Sequence, residues 1–167
     1  WFHKDASLTF VPTGHVYKQA LDYCVDKSKV QLTGLPVHPQ YAIMSQSKTV
    51  LRDALGWDQD LLTALIVGST RTKETAPIAR LLDRSGLPLQ LAIVSGQNME
   101  TEAELAQTQW QQQTHIYGLA HNMYELMCAA DFIICKAGGL IVAEALASGL
   151  PIILSEALPG QEIGNVR

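Results

Sequence analysis

Seven short apolar runs, rich in β-branched residues, recur along the chain at 8–11, 30–33, 62–67, 89–94, 115–117, 132–135 and 151–154. Between them lie stretches with helical spacing at 15–25, 42–55, 75–85, 101–112, 123–130 and 140–148. This alternation constrains the fold more than any other feature. Strands that are apolar almost without interruption are buried on both faces. A parallel sheet covered by helices on both sides and joined by right-handed crossovers accommodates them. The expected fold class is α/β, a Rossmann-like doubly wound parallel sheet. Gly86-Leu87-Pro88 and Gly149-Leu150-Pro151 fit the same plan. Each puts a glycine after a helix, where a left-handed cap is wanted, and a proline at the start of a strand, where a missing N–H is tolerated.

Two prolines and a glycine between Thr33 and Pro39 mark the expected domain boundary. Residues 1–40 then form the end of one domain and its linker, and residues 41–167 a second domain. The chain begins at Trp1 without a methionine or a signal-like leader and stops at Arg167 soon after a strand, so both ends read as cut. No internal repeat is present, and the glutamine-rich run 107–113 is expected to be a solvated helix end.

Composition narrows the function classes. Hydrophobic residues at 47%, charged residues at 17% and a net charge of −4 describe a compact protein with much buried surface. No basic stripe interleaved with aromatics is present, so the electrostatic footprint of a nucleic-acid binder is missing. The apolar runs fall far short of the roughly 20 residues that span a bilayer. Cys24, Cys128 and Cys135 form no CxxC pair, so neither a disulfide framework nor a zinc site is indicated, and reduced thiols in a cytosolic protein are expected.

In an open parallel sheet a ligand binds beyond the carboxyl ends of the strands. The run from Asp131 to Glu144 is a strand that passes through Lys136-Ala137-Gly138-Gly139-Leu140 into a helix. Glycines let backbone approach a ligand, and the unpaired N–H groups and dipole of a helix start favour a phosphate or pyrophosphate. Lys136 adds a positive charge. Glu144 stands one turn after Leu140, and helix side chains lean toward the N-terminus, so its carboxylate reaches toward a ribose diol beside that phosphate. The structural alternative is a tight turn followed by a solvated glutamate. Gly68-Ser69-Thr70 offers N–H and hydroxyl donors, Ser95-Gly96-Gln97-Asn98 closes the next strand, and the stretch from Tyr117 to Met123 can frame a flat base. Pro159-Gly160-Gln161-Glu162-Ile163-Gly164-Asn165 carries two amides and a carboxylate able to bind sugar hydroxyls. There is no GxxxxGK[ST], HExxH, GxSxG or strand-following GxGxxG, and the five histidines show no ligand spacing.

The order Lys136-Ala-Gly-Gly-Leu-Ile-Val-Ala-Glu144-Ala-Leu-Ala-Ser-Gly149-Leu-Pro, followed by Pro159-Gly-Gln-Glu-Ile-Gly-Asn165, resembles the C-terminal domain of monogalactosyldiacylglycerol synthases. More distantly it is similar to the N-acetylglucosaminyltransferase that makes the peptidoglycan lipid intermediate, in the same GT-B superfamily. The resemblance implies the C-terminal half of a GT-B fold. It also implies a UDP-sugar donor whose diphosphate meets Lys136, Gly138, Gly139, Leu140, Gly68 and Ser69, with Glu144 on the ribose. Gly118, Leu119 and Met123 would then frame uracil, and Gln161, Glu162 and Asn165 the sugar. The family's first loop is usually glycine-rich, whereas here it reads Gly68-Ser69-Thr70-Arg71.

The implied reaction is inverting transfer of galactose or glucose to a lipid such as diacylglycerol, with no metal or other cofactor. The acceptor site and catalytic base would lie in an N-terminal domain, of which residues 1–40 are the remnant. The implied location is cytoplasmic, peripheral to the inner face of the cell membrane. A UDP-sugar epimerase or hydrolase of the same architecture is one competing expectation. Another is a nucleotide-sugar-binding subunit working with a separate membrane protein.

Overall fold

The structure is a computed structural model that describes residues 2–43 and 46–166. The chain divides into two compact units at Val37 and His38.

The first unit is one βαβ turn: strand β1 (Thr9–Val11), helix α1 (Gly14–Asp22) and strand β2 (Val30–Leu32), with β1 and β2 parallel. Thr13 starts α1 by accepting a hydrogen bond from the Val16 N–H. Val11, Ala20, Val25 and Val30 form its core.

The second unit carries α2 (Lys48–Leu55), β3 (Leu62–Val67), α3 (Thr75–Asp83), β4 (Leu89–Val94), α4 (Met99–Gln107), β5 (Thr114–Tyr117), α5 (Met123–Ala129), β6 (Phe132–Cys135), α6 (Gly139–Ala147) and β7 (Ile152–Leu154). Its five strands lie in the order β5-β4-β3-β6-β7, all parallel. The expected α/β doubly wound sheet is therefore present. Alternation along the strands sends Ala64 and Ile66 to one face with Leu91 and Ile93, where Ala76 and Ala79 of α3 and Leu105 of α4 cover them. Leu65 points the opposite way and is fully buried, on the face where α5 packs against α2. Gly86 and Gly149 both adopt positive φ, at 73° and 66°, as the glycine-to-proline punctuation required.

Two helix expectations need correction. The helix expected over 42–55 begins only at Lys48, where Ser47 accepts from the Val50 N–H. Ahead of it Pro39–Ala42 forms a 3-10 turn, and residues 44 and 45 lie outside the described residues. The helix expected over 101–112 runs instead over Met99–Gln107, with Asn98 as its cap. The glutamines after it are not a helix end. The Asp83 carboxylate accepts the N–H groups of Gln111 and Gln112, and the Trp110 indole donates to Leu105 O, so this segment is pinned as a bent loop. Among the described residues no helix is long and apolar enough to cross a membrane.

At the amino edge of the sheet Arg52 is 4% exposed and uses its donors fully. Nε donates to Ala129 O, Nη1 to the carbonyls of Asp58, Gln59 and Leu61, and Nη2 to Thr63 Oγ1 and Asp131 Oδ2. Gln90 donates to Asp58 O and Thr63 Oγ1, and Lys48 pairs with Asp131. Burial works against the Asp131 charge, but the hydrogen bonds from Lys48 and the Thr63 N–H and the nearby cations outweigh it and hold this carboxyl below the usual range.

Candidate functional site

The strand order fixes where a ligand can enter. The chain runs from β3 to β4 to β5 on one side and then crosses back to place β6 and β7 on the other. The topological switch point lies between β3 and β6, and the loops leaving their carboxyl ends part around it. One loop carries Gly68 and Ser69, the other Lys136 to Gly138.

The β6–α6 loop is held from below and open above. Ala137 is buried and its N–H donates to Glu156 O at 2.8 Å. Gly138 is the α6 N-cap and has no side chain with which to close the helix start, so the N–H groups of the first turn lack the usual cap partner. The glycines themselves are informative. Neither Gly138 nor Gly139 has positive φ. A Cβ on Gly138 would meet Ile141 Cγ2 at 3.4 Å and Lys136 Cε at 3.5 Å, and one on Gly139 would meet only Asn165 Nδ2 at 3.8 Å. These are ordinary contacts, so the fold itself does not demand glycine here. Gly68 and Gly118 differ: a Cβ would stand 2.5 Å from Thr75 Oγ1 at the first and 3.0 Å from Glu102 Oε2 at the second. Packing explains the glycine at Gly68, whereas at Gly118 the neighbour is the movable end of the Glu102 side chain.

The segment after β7 folds onto the same loop. Lys136 Nζ donates to Glu162 Oε1 at 2.7 Å, the Leu158 N–H donates to Glu162 Oε2 at 3.0 Å, and Asn165 Nδ2 donates to Ala137 O at 2.7 Å. Burial opposes the Glu162 charge, but the Lys136 and Leu158 hydrogen bonds, with the charges of Lys136 and Arg71, hold its pKa below the ordinary value. Lys136 is therefore an ion-paired cation, and both Glu162 oxygens are engaged. Gln161 is exposed.

Glu144 is half-buried on α6. Burial raises its pKa, and the neighbouring Tyr41 hydroxyl partly offsets the shift. Tyr41 is 3% exposed and packs edge-on against Tyr124 in the first turn of α5, with ring centroids 5.3 Å apart. Burial and the facing Glu144 push its hydroxyl up to about 12. Sequence reasoning missed Tyr41. It lies on a 3-10 turn remote in sequence from α6, and only the apolar neighbourhood of its ring marks it.

The other expected residues sit at the same edge. The Gly68 N–H donates to Val94 O and the Ser69 N–H to Thr72 Oγ1, so these two backbone donors are already used inside the protein. Gly118 O accepts from the Gly96 N–H, Leu119 is exposed, and Met123 opens α5 next to Tyr124. Through Tyr124 and Tyr41, the start of α5 is linked to Glu144. Among the described residues no group of three histidines, cysteines or carboxylates is placed to hold a metal ion.

Over 99% of its length the chain is 37% identical to a probable chloroplastic monogalactosyldiacylglycerol synthase of Glycine max, covering 33% of that protein. It is also 37% identical to monogalactosyldiacylglycerol synthase 2 of Arabidopsis thaliana, again over 99% of the chain and covering 37% of the relative. The chain thus spans about a third of the length of the curated relatives it matches. Among solved structures, Anabaena Alr3699/HepE in complex with UDP-glucose superposes with a TM-score of 0.58 at 14% identity, over 97% of this chain and 47% of that one, a likeness of fold. Residues 61–155 match the model of the glycosyltransferase family 28 C-terminal domain, and the chain belongs to that family.

Proposed function

We propose that this chain is the donor-binding part of an inverting, UDP-sugar-dependent hexosyltransferase acting on a lipid acceptor such as diacylglycerol. One observation carries the reading: at the switch point α6 opens on two glycines that the fold does not require, with a half-buried carboxylate one turn further on. The first-turn N–H groups of α6 receive the diphosphate, with Lys136 and the Gly68-Ser69 loop beside it. Glu144 accepts the ribose hydroxyls, Leu119 and Met123 flank uracil against the Gly118 backbone, and Gln161, Glu162 and Asn165 meet the hexose. In the reaction an acceptor oxygen bonds to the anomeric carbon while UDP departs with the electron pair. The acceptor proton goes to a base outside this chain. Uncapped N–H groups aimed at the departing diphosphate stabilise charge that grows in the transition state, so the reading calls for no metal.

We infer the lipid acceptor from the names of the relatives, and peripheral attachment of the whole protein to the inner face of the cell membrane from the lipid nature of that acceptor. Residues 1–40 belong, in this reading, to the acceptor domain and linker. The test is an assay of the full-length protein with UDP-galactose and UDP-glucose, with and without diacylglycerol. Glycolipid formed only when the acceptor is present supports the proposal. Donor consumption that is unaffected by diacylglycerol and yields no glycolipid would replace it with a hydrolase or epimerase.

A further inference from the structure

The ribose carboxylate is not an isolated helix residue. The 3-10 turn Pro39–Ala42 packs against α6. Its Tyr41 ring is buried edge-on to Tyr124, at an interplanar angle of 88°. The turn is closed by the Tyr41 N–H donating to His38 O at 3.0 Å, and His38 Nδ1 accepts the Gln40 N–H. The ring is held edge-on to Tyr124 in a turn that packs on α6, so its hydroxyl lies in the neighbourhood of Glu144, with the Gln40 side chain of the same turn beside it.

We propose that Tyr41 is a positioning residue for nucleotide recognition: its hydroxyl donates to the Glu144 carboxylate and fixes the carboxylate plane so that its acceptor sites face the ribose diol. The proposal rests on the assignment of Glu144 to the ribose given above. A carboxylate on a glutamate stem has several rotamers, and ordering it only upon binding costs affinity that an existing hydrogen bond avoids. A phenol that stays protonated throughout the neutral range is a constant donor, so the orientation does not depend on working pH. Tyr41 touches no substrate in this scheme and acts only through Glu144.

The experiment is calorimetric titration of the full chain with UDP and with 2′,3′-dideoxy-UDP, which lacks both hydroxyls, in wild type, Tyr41→Phe, Glu144→Ala and the double variant. Phenylalanine keeps the ring contact with Tyr124, and thermal unfolding of each variant separates loss of fold from loss of orientation. The expected result is a UDP affinity about three- to tenfold weaker in Tyr41→Phe, the worth of one hydrogen bond, with dideoxy-UDP affinity unchanged. In the Glu144→Ala background the tyrosine substitution should have no further effect on UDP. A Tyr41→Phe variant that weakens both ligands equally, or that adds its full loss on top of Glu144→Ala, overturns the positioning role. Retention of the wild-type preference for UDP by Glu144→Ala would instead remove the ribose assignment, and this inference with it.

Discussion

At the amino edge of the main sheet, the guanidinium of Arg52 binds four backbone carbonyls, a threonine hydroxyl and a carboxylate, and Gln90 and Lys48 complete the set. At the carboxyl edge of the same strands, α3, α5 and α6 all begin without a hydrogen bond from the cap side chain, and only Asn98 of α4 caps its helix. The polar side chains of one edge are matched to each other; at the other, three of four helix starts carry no side-chain cap. Buried unpaired polar groups are costly, so a fold keeps an open edge only where solvent or a ligand completes it. The comparison teaches where stability and binding reside, and it can be broken by experiment.

The largest effect is expected at the closed edge. Arg52→Ala strands several carbonyls and part of the Asp131 charge, and should lower unfolding free energy by about 3 to 5 kcal/mol in denaturant titration. The fraction that remains folded should bind UDP as before, and a selective loss of UDP binding in that fraction would show that the edges are not independent. At the open edge Glu144→Ala should weaken UDP about ten- to a hundredfold by calorimetry, the worth of a charge-assisted hydrogen bond. Its unfolding midpoint should change little, because a carboxylate disfavoured by burial is removed while the buried Tyr41 hydroxyl loses its acceptor.

Acid should separate the edges as well. The folded pKa of Asp131 lies below its unfolded value, so its contribution is complete above that value and is lost only as pH falls through the lower folded one. Glu144 is shifted up, so it takes a proton earlier in the same descent. Affinity for a UDP-sugar, whose diphosphate is doubly esterified and gains no proton in this range, should therefore fall before the protein melts. Coincident loss of binding and fold would contradict this order. The smallest effect is Asn98→Ala, which removes the one side-chain cap at the open edge. It should cost about 1 kcal/mol of stability and leave UDP affinity unchanged.

Much of this was legible in the residues because the period of burial is local. Runs 62–67, 89–94 and 132–135 coincide with β3, β4 and β6, since each has at most one polar residue and is bounded by turn residues. The start of α2 was misplaced because Ile43 stands seven residues before Val50, a helical spacing, although it only follows a 3-10 turn. The true start signal was Ser47. Gly138, Gly139 and Glu144 were readable as a unit because one helix carries them. Their dependence on Tyr41 was not, since contacts between distant segments leave no periodicity. Nor did any pattern foretell that Lys136 would be paired with Glu162, or that the Ser69 N–H would turn inward to Thr72.

If Gln161, Glu162 and Asn165 meet the hexose as proposed, the pairing of Lys136 with Glu162, and of Asn165 with Ala137, divides that end of the site into fixed and free positions. Replacing Glu162 releases the lysine at the start of the β6–α6 loop, and replacing Asn165 removes its hydrogen bond to Ala137 O in that loop. Gln161 is exposed and has no side-chain hydrogen bond among the described residues. Selection for a different hexose could thus alter Gln161 while sparing its neighbours, so descendants of this domain would diverge in donor choice at one residue inside an otherwise unaltered frame.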